Sequence, residues 1–558
     1  MSRLPPIATG ERARSIAAVA ALSLGQAISA AAAAFATRHV FAGLSSPGGD
    51  VPVVALGMIA FAGLAIAACR AREAFIAERI GQHYAAELRE KLFGHLSRLP
   101  ARTLAERRSG GLALRFVGDL TAVRGWISLG IARLVSAAIV LPAALLVVGL
   151  LDPSLGLVAG PPMLIGLGLM AIVGWRYSAA HRRLRARRSA LAADISERIP
   201  NAPELRLLGR MVVERRNLRK RSERLVEAAL FRTQGSALMR AIPDGVSGLV
   251  AAGILLVAAL RLVEPAEAAG ALAAAALMIK PMRDLAGIWD RRRNWIVAKE
   301  KCCQLLSQQP VIRRSARRPK ARAAYPAPGE PVALSFLDIR TKLLSNLSAT
   351  APAGRKIAIL GANGSGKSSL LTLAAGLEAP GSGRIMIGAR PSDRIPDADR
   401  ARLIAYCSDR STMLAGTLRR ALTLGSASQP SDATIEAQAS AFGLAGVLRK
   451  LGGLDGRVAE GGRNLSAGEV RRVLLTRAAL SGAGLMLLDE LDDALDADAP
   501  TLMTQLLNGT SATVLFVTHN PAVARLADEA WGLEHGRLVD HGAPGDVLAG
   551  PLYRQNAA

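Results

Sequence analysis

The chain has 558 residues, enough for two or more domains with sizeable cores. Apolar residues make up 51% of it, aromatics only 4%, and the formal charge is +26. Four cysteines (Cys69, Cys302, Cys303, Cys407) show neither metal-ligand nor disulfide-framework spacing, so nothing argues for an oxidising compartment.

Residues 1–14 form a short basic head, and residues 15–37 follow without a charge for 23 positions. A basic start, an apolar run and small residues such as Ala32, Ala33 and Ala34 imitate a secretory signal peptide. The run is long enough to span a membrane, however, and more spans follow. Residues 51–69, 134–151 and 153–175 are uncharged for 19, 18 and 23 positions. Each suffices for a hydrocarbon core that takes about 20 residues. Residues 245–260 and 268–279, with 16 and 12 uncharged positions, are shorter candidates for two further spans.

Loop charge sets the orientation. Residues 176–240 carry 17 Arg or Lys against 6 Asp or Glu, whereas the turns at 45–50, 152–153 and 262–267 carry no Lys or Arg. The positive-inside bias puts the N-terminus, the Arg-rich segment and everything after residue 280 in the cytoplasm. Basic helices beside an anionic leaflet account for much of the charge. No stacking aromatics accompany the basic runs, so nucleic acid is not an expected partner. Residues 71–99 and 179–230 extend the spans as polar helices, the second broken near Pro200 to Pro203. A basic, Pro-rich connector then hands over to a chain of α/β character. The expected domains are 1–310 (membrane), 311–330 (linker) and 331–558 (soluble).

In the soluble part, the apolar run 357–360 has the look of a buried strand, breaks at Gly361 and restarts as helix after Lys367. Between them stands G-x-x-x-x-G-K-S, from Gly361 to Ser368. Glycines let the backbone curl around an anion, and free N–H groups with a helix N-terminus supply partial positive charge. The expected phosphate site comprises Gly361, Ala362, Asn363, Gly364, Ser365, Gly366, Lys367, Ser368 and Ser369. Lys367 can reach the β- and γ-phosphates, and the Ser368 hydroxyl can ligate Mg²⁺. A second apolar run, 485–488, ends in Asp489 and Glu490. The first carboxylate can hold Mg²⁺ through water and the second can polarise the attacking water. A third run, 513–518, ends at His519, placed to touch a γ-phosphate.

Asn464-Leu465-Ser466-Ala467-Gly468-Glu469 resembles the signature motif of ATP-binding cassette (ABC) proteins. Its order after Gly361 to Ser368 and before Asp489-Glu490 matches that family, and Glu460-Gly461-Gly462 resembles the exporters' acidic turn. The membrane half is similar to the six-helix exporter fold. The resemblance implies an all-α six-helix transmembrane domain followed by an α/β P-loop ATPase domain. It implies ATP and Mg²⁺ as cofactors, and export of a small or amphiphilic substrate across the inner membrane by a dimer. A regulatory membrane ATPase and half of a heterodimer are the alternatives. It further implies that Ser466 and Gly468 face the ATP of a second copy, that 200–210 is a coupling helix, and that Asp409 is a Mg²⁺ ligand where the family has Gln. Asp338 stands where the family stacks an aromatic on adenine.

Only 12 uncharged residues precede Lys280, about 18 Å of helix against a core of roughly 30 Å. Lys280 and Arg283 are therefore expected at membrane depth, with Asp284 neutralising one of them. On that expectation the cavity prefers anionic or zwitterionic amphiphiles; snorkelling to lipid phosphates is the alternative.

Overall fold

The computed structural model describes residues 4–44, 51–105, 115–260, 262–311, 326–327, 329–408, 411 and 413–550. It divides into two compact units. The first comprises Met1–Ser97 with Arg107–Gln308, and the second Arg98–Glu106 with Gln309–Ala558.

Every regular element described in the first unit is a helix. Long Ala- and Leu-rich runs without polar interruption favour helix, which satisfies every backbone group within the segment. Five helices are long and apolar enough to cross a membrane: α1 (Glu11–Leu44), α2 (Val53–Leu96), α3 (Leu120–Leu151), α4 (Pro153–Arg176) and α5 (Met211–Ala259). The 16-residue candidate at 245–260 thus forms the end of a 49-residue helix whose first part is polar. Between α3 and α4 the turn is minimal. Asp152 caps α4 by accepting from Ser154 N at 2.7 Å, and Pro153 opens the helix. A Cβ on Gly156 would lie 3.0 Å from the Cα of Gly149, so α3 and α4 meet there through glycine.

The sixth span is not one rod. Helix α6 (Pro265–Ala276) stops after 12 residues, α7 (Ile279–Ala286) resumes after a turn, and α8 (Ile288–Leu306) follows a break at Gly287. Small residues recur in the interior of this unit, where Ala34, Ala137, Ala144, Ala159, Ala271 and Ala274 are buried among Val, Leu and Met. Large ones such as Val54, Phe61, Leu64, Leu157 and Ile165 are exposed. Large apolar side chains on the outside suit lipid contact. On the polar side, a helix Ser178–Arg198 and a short one, Ala202–Leu207, lead into α5.

The second unit is α/β. Four strands form an antiparallel sheet in the order β2-β1-β4-β5: β1 (Leu334–Arg340), β2 (Leu347–Ala351), β4 (Ser382–Ile387) and β5 (Arg390–Pro391). Six form a second sheet in the order β12-β11-β3-β10-β9-β6. These are β3 (Lys356–Leu360), β6 (Ile404–Ser408), β9 (Leu485–Asp489), β10 (Thr513–Val517), β11 (Glu529–Glu534) and β12 (Arg537–Gly542). A small pair, β7 (Gly416–Thr417) and β8 (Arg457–Val458), completes the strands. All neighbours in the larger sheet are parallel except β11 and β12. Every residue of β9 and β10 is buried, as expected of central strands covered on both faces. Within this unit Ala101 N, from the short helix Ala101–Ala105, donates to Leu377 O at 3.0 Å.

Candidate functional site

Register brings the chemistry together. Val517 lies opposite Ile359 on one side and Asp489 on the other, so β3, β10 and β9 end side by side. The residues that follow those ends, Gly361, Thr518 and Glu490, therefore leave the sheet at one edge, where parallel sheets bind ligands.

The loop after β3 demands glycine. Gly361 and Gly366 have φ of 148° and 107°. Space is short there as well: a Cβ would lie 2.2 Å from Leu533 O at the first and 2.6 Å from Leu344 Cδ2 at the second. Gly366 caps α9 (Lys367–Ala374), whose first N–H groups are free for an anion. Lys367 is only 4% exposed, and its Nζ donates to the carbonyls of Gly361 (2.9 Å) and Ala362 (3.1 Å). Burial lowers its pKa, while the carboxylates of Glu490, Asp489 and Asp493 oppose the shift. The Ser365 hydroxyl is buried without a hydrogen-bond partner, an acceptor-seeking group inside the cradle. Asn363, Gly364 and Ser368 are exposed, and Ala362 and Ser369 partly buried.

Ser368 Oγ donates to Asp489 Oδ1 at 3.0 Å, across 121 positions of sequence. A hydroxyl and a carboxylate side by side are the hard oxygen donors that Mg²⁺ takes, and they adjoin the anion cradle. The residues present therefore fit a magnesium–nucleotide. Glu490, one residue on, has φ of 52° and donates its N–H to Val517 O at 3.2 Å. Its Oε1 lies 3.5 Å from His519 Nε2. Asp409 lies outside the described residues; β6 ends just before it, with Ser408 opposite Asp489.

Ser466 and Gly468 lie elsewhere. Ser466 caps α10 (Ala467–Ala479) in a reciprocal capping box with Glu469, whose carboxylate also meets Lys450 Nζ at 3.4 Å. A Cβ on Gly468 would sit 3.2 Å from Ala494 O. Among the described residues no hydrogen bond of Ser466 reaches the phosphate loop. Asp338, at φ 50° in an irregular stretch of β1, is held by Ser348 Oγ, which donates to its carboxylate at 3.0 Å.

Sequence reasoning missed Asp492 and Thr518. Both are buried, at 5% and 1% exposure, and the Thr518 hydroxyl donates to the Asp492 carboxylate. That bond ties the loop carrying Glu490 to the loop carrying His519. Burial raises the Asp492 pKa, with the Thr518 hydrogen bond working against the shift. For Thr518 the available signal was a polar residue directly after a buried strand; Asp492, three residues past the end of β9, had none of that kind.

The membrane unit holds a second polar cluster. A cavity of about 150 Å³ is lined by Gln26, Arg70, Glu73, Arg133, Lys280 and Asp284, among others. Gln26 donates to Glu73, and Arg133 pairs with Asp284 at 3.2 Å. Arg283 pairs instead with Asp244 of α5, through Nε at 2.9 Å. Asp284 thus pairs with Arg133 and not with Arg283, while Lys280 lines the same cavity as Asp284. Helical rotation places Asp284 toward α3 and Arg283, one residue earlier, about 100° away toward α5.

Comparisons with known proteins agree with this architecture. The family model described as "ABC transporter transmembrane region" matches residues 16–279, and "ABC transporter" matches residues 344–492. The chain is similar to an ATP-dependent lipid A-core flippase of Chromohalobacter salexigens, 25% identical over 83% of this chain and 81% of that protein. It is also similar to a multidrug efflux ATP-binding/permease protein of Mycobacterium bovis, 28% identical over 85% of this chain but 40% of that one. The solved structure of a bacterial Atm1-family ABC exporter with ATP bound has the same fold, with a TM-score of 0.81 at 19% identity, covering 98% of this chain and 99% of that one. Membrane region, cassette and fold all lead to one family: the chain is an ABC exporter, a multi-pass inner-membrane protein whose transmembrane domain is fused to a cytoplasmic ATP-hydrolysing domain.

Proposed function

We propose that two copies of this chain hydrolyse ATP to export a small or amphiphilic substrate by alternating access. The observation that carries the reading is the cluster of Glu73, Arg133, Lys280 and Asp284 around one cavity of the membrane unit. Ionisable groups at membrane depth are expensive and mark a transport pathway. Exporters of this family generally function as dimers, and the relatives' names, a lipid A-core flippase and a multidrug efflux protein, favour an amphiphile. Lys367, Glu490 and Ser466 are all present, so a homodimer is the simpler assembly.

In the cassette, Lys367 and the N–H groups of the glycine loop hold the ATP phosphates. Ser368 and Asp489 would hold Mg²⁺, with Asp409 as a further ligand on sequence grounds, and the bound ion would supply neutralising charge at the phosphates. Glu490 accepts the proton of the attacking water, and His519 contacts both Glu490 and the γ-phosphate. Ser466 and Gly468 complete the site on the partner's nucleotide.

The test is ATP-dependent uptake of a fluorescent anionic lipid analogue into inverted membrane vesicles. Accumulation with the parent and none with Lys367→Ala supports the reading. ATP hydrolysis without accumulation of any amphiphile overturns it in favour of a regulatory ATPase.

A further inference from the structure

A third polar site lies in the helical stalks, apart from both clusters above. A cleft of about 370 Å³ is lined by Arg185, Arg188, Arg232 and Arg291, with Asn294 and Gly118 beside them. The arginines come from three different elements: the helix Ser178–Arg198, α5 and α8. Two are already neutralised, Arg185 by Asp119 and Arg232 by Asp290, each at 2.9 Å. Among the described residues, Arg188 and Arg291 have no ion-pair partner. Arg291 Nη1 is buried without a hydrogen bond. A Cβ on Gly287 would lie 2.5 Å from that nitrogen, so the guanidinium folds against the break between α7 and α8.

Arg185 is ten residues beyond Trp175, Arg232 thirteen before Gly245 and Arg291 seven beyond Asp284, so the cleft lies on the cytoplasmic side of the membrane cluster. A soluble anion and a lipid headgroup phosphate offer these arginines the same oxygen chemistry, and the experiment below separates the two sources. Unpaired guanidinium forks converging on a cavity of ligand size match carboxylate or phosphate oxygens in a bidentate manner.

We propose that this cleft binds a small soluble anion carrying two or more carboxylate or phosphate groups, on the cytoplasmic side of the exporter. The experiment titrates citrate calorimetrically into the purified full-length protein in phosphatidylcholine nanodiscs without nucleotide. Saturable binding is expected, weakening as salt rises. Arg188→Gln should weaken it by on the order of 10-fold, and Arg188→Gln with Arg291→Gln more. Lysine at the same positions should retain part of the affinity, and Arg219→Gln, an exposed charge outside the cleft, should leave it unchanged. Lys367→Ala should also bind like the parent, which separates this site from the phosphate loop. Absence of saturable binding to the parent overturns the proposal, as does equal binding by the double variant. Loss of citrate binding when phosphatidylglycerol is added to the nanodiscs at constant salt would assign the arginines to headgroups and overturn it too. If the double variant unfolds, Arg188→Gln decides alone, because Arg188 is exposed and unpaired.

Discussion

His519 Nε2 lies 3.5 Å from Glu490 Oε1, at the ends of two strands that pair in register. The Glu490 backbone is held to β10 through its own N–H, so the carboxylate is aimed before any substrate arrives. Glu490→Gln keeps the shape and removes the basic oxygen. Phosphate release should fall by on the order of 10²-fold or more, while nucleotide titration shows binding intact. A near-parental rate would remove Glu490 from the role of base.

Asp492 and Thr518 fix the relation of those two loops. Thr518→Val leaves a buried carboxylate without its donor, at an expected cost of about 1–3 kcal/mol in thermal unfolding. The pH dependence has a definite sign. Burial raises the Asp492 pKa above its ordinary 3.8, so the folded state binds this proton more tightly than the unfolded chain. Its contribution is fully present below pH 3.8 and is lost as pH rises through the raised value. Asp492→Asn has no charge to bury. Its melting temperature relative to the parent should climb with pH across that window and then level; a decline would contradict the burial account.

Ser466 tests the composite site. Ser466→Asn preserves the cap of α10, and Ser466→Arg adds bulk and charge where a partner's nucleotide would sit. Arginine should abolish hydrolysis and leave single-protomer nucleotide binding in place, whereas asparagine should keep the fold and a measurable rate. Full ATPase activity of the arginine variant, or of a demonstrably monomeric parent, would refute the shared site.

Arg133 and Asp284 test the membrane cluster. Removing one member strands the other beside an apolar bundle, whereas removing both strands neither. Arg133→Ala should therefore lower thermal stability more than Arg133→Ala with Asp284→Ala. Equal losses, or a larger loss in the double variant, would show that the pair is not a structural unit.

The phosphate loop, the strand-end carboxylates and the four longest uncharged runs were all legible in the chain itself. Each is a contiguous pattern whose physics is local: glycine at positive φ, an apolar strand stopping at a polar residue, or enough uncharged helix to cross a core. The second half of α5 showed only as a shorter uncharged run, and the breaks in the sixth span did not show at all. The close approach of Arg291 to Gly287 arises only in the folded helices, and the end of a 49-residue helix looks short when only its uncharged part is counted. Partner choice was equally hidden. The strand order that sets β3, β10 and β9 side by side brings Ser368 to Asp489 and Glu490 to His519. Helical rotation by one residue sends Asp284 to Arg133 and Arg283 to Asp244. Spacing along the chain carries the kind of chemistry a residue can do, but which groups meet depends on register and rotation, and those are set only when whole elements pack.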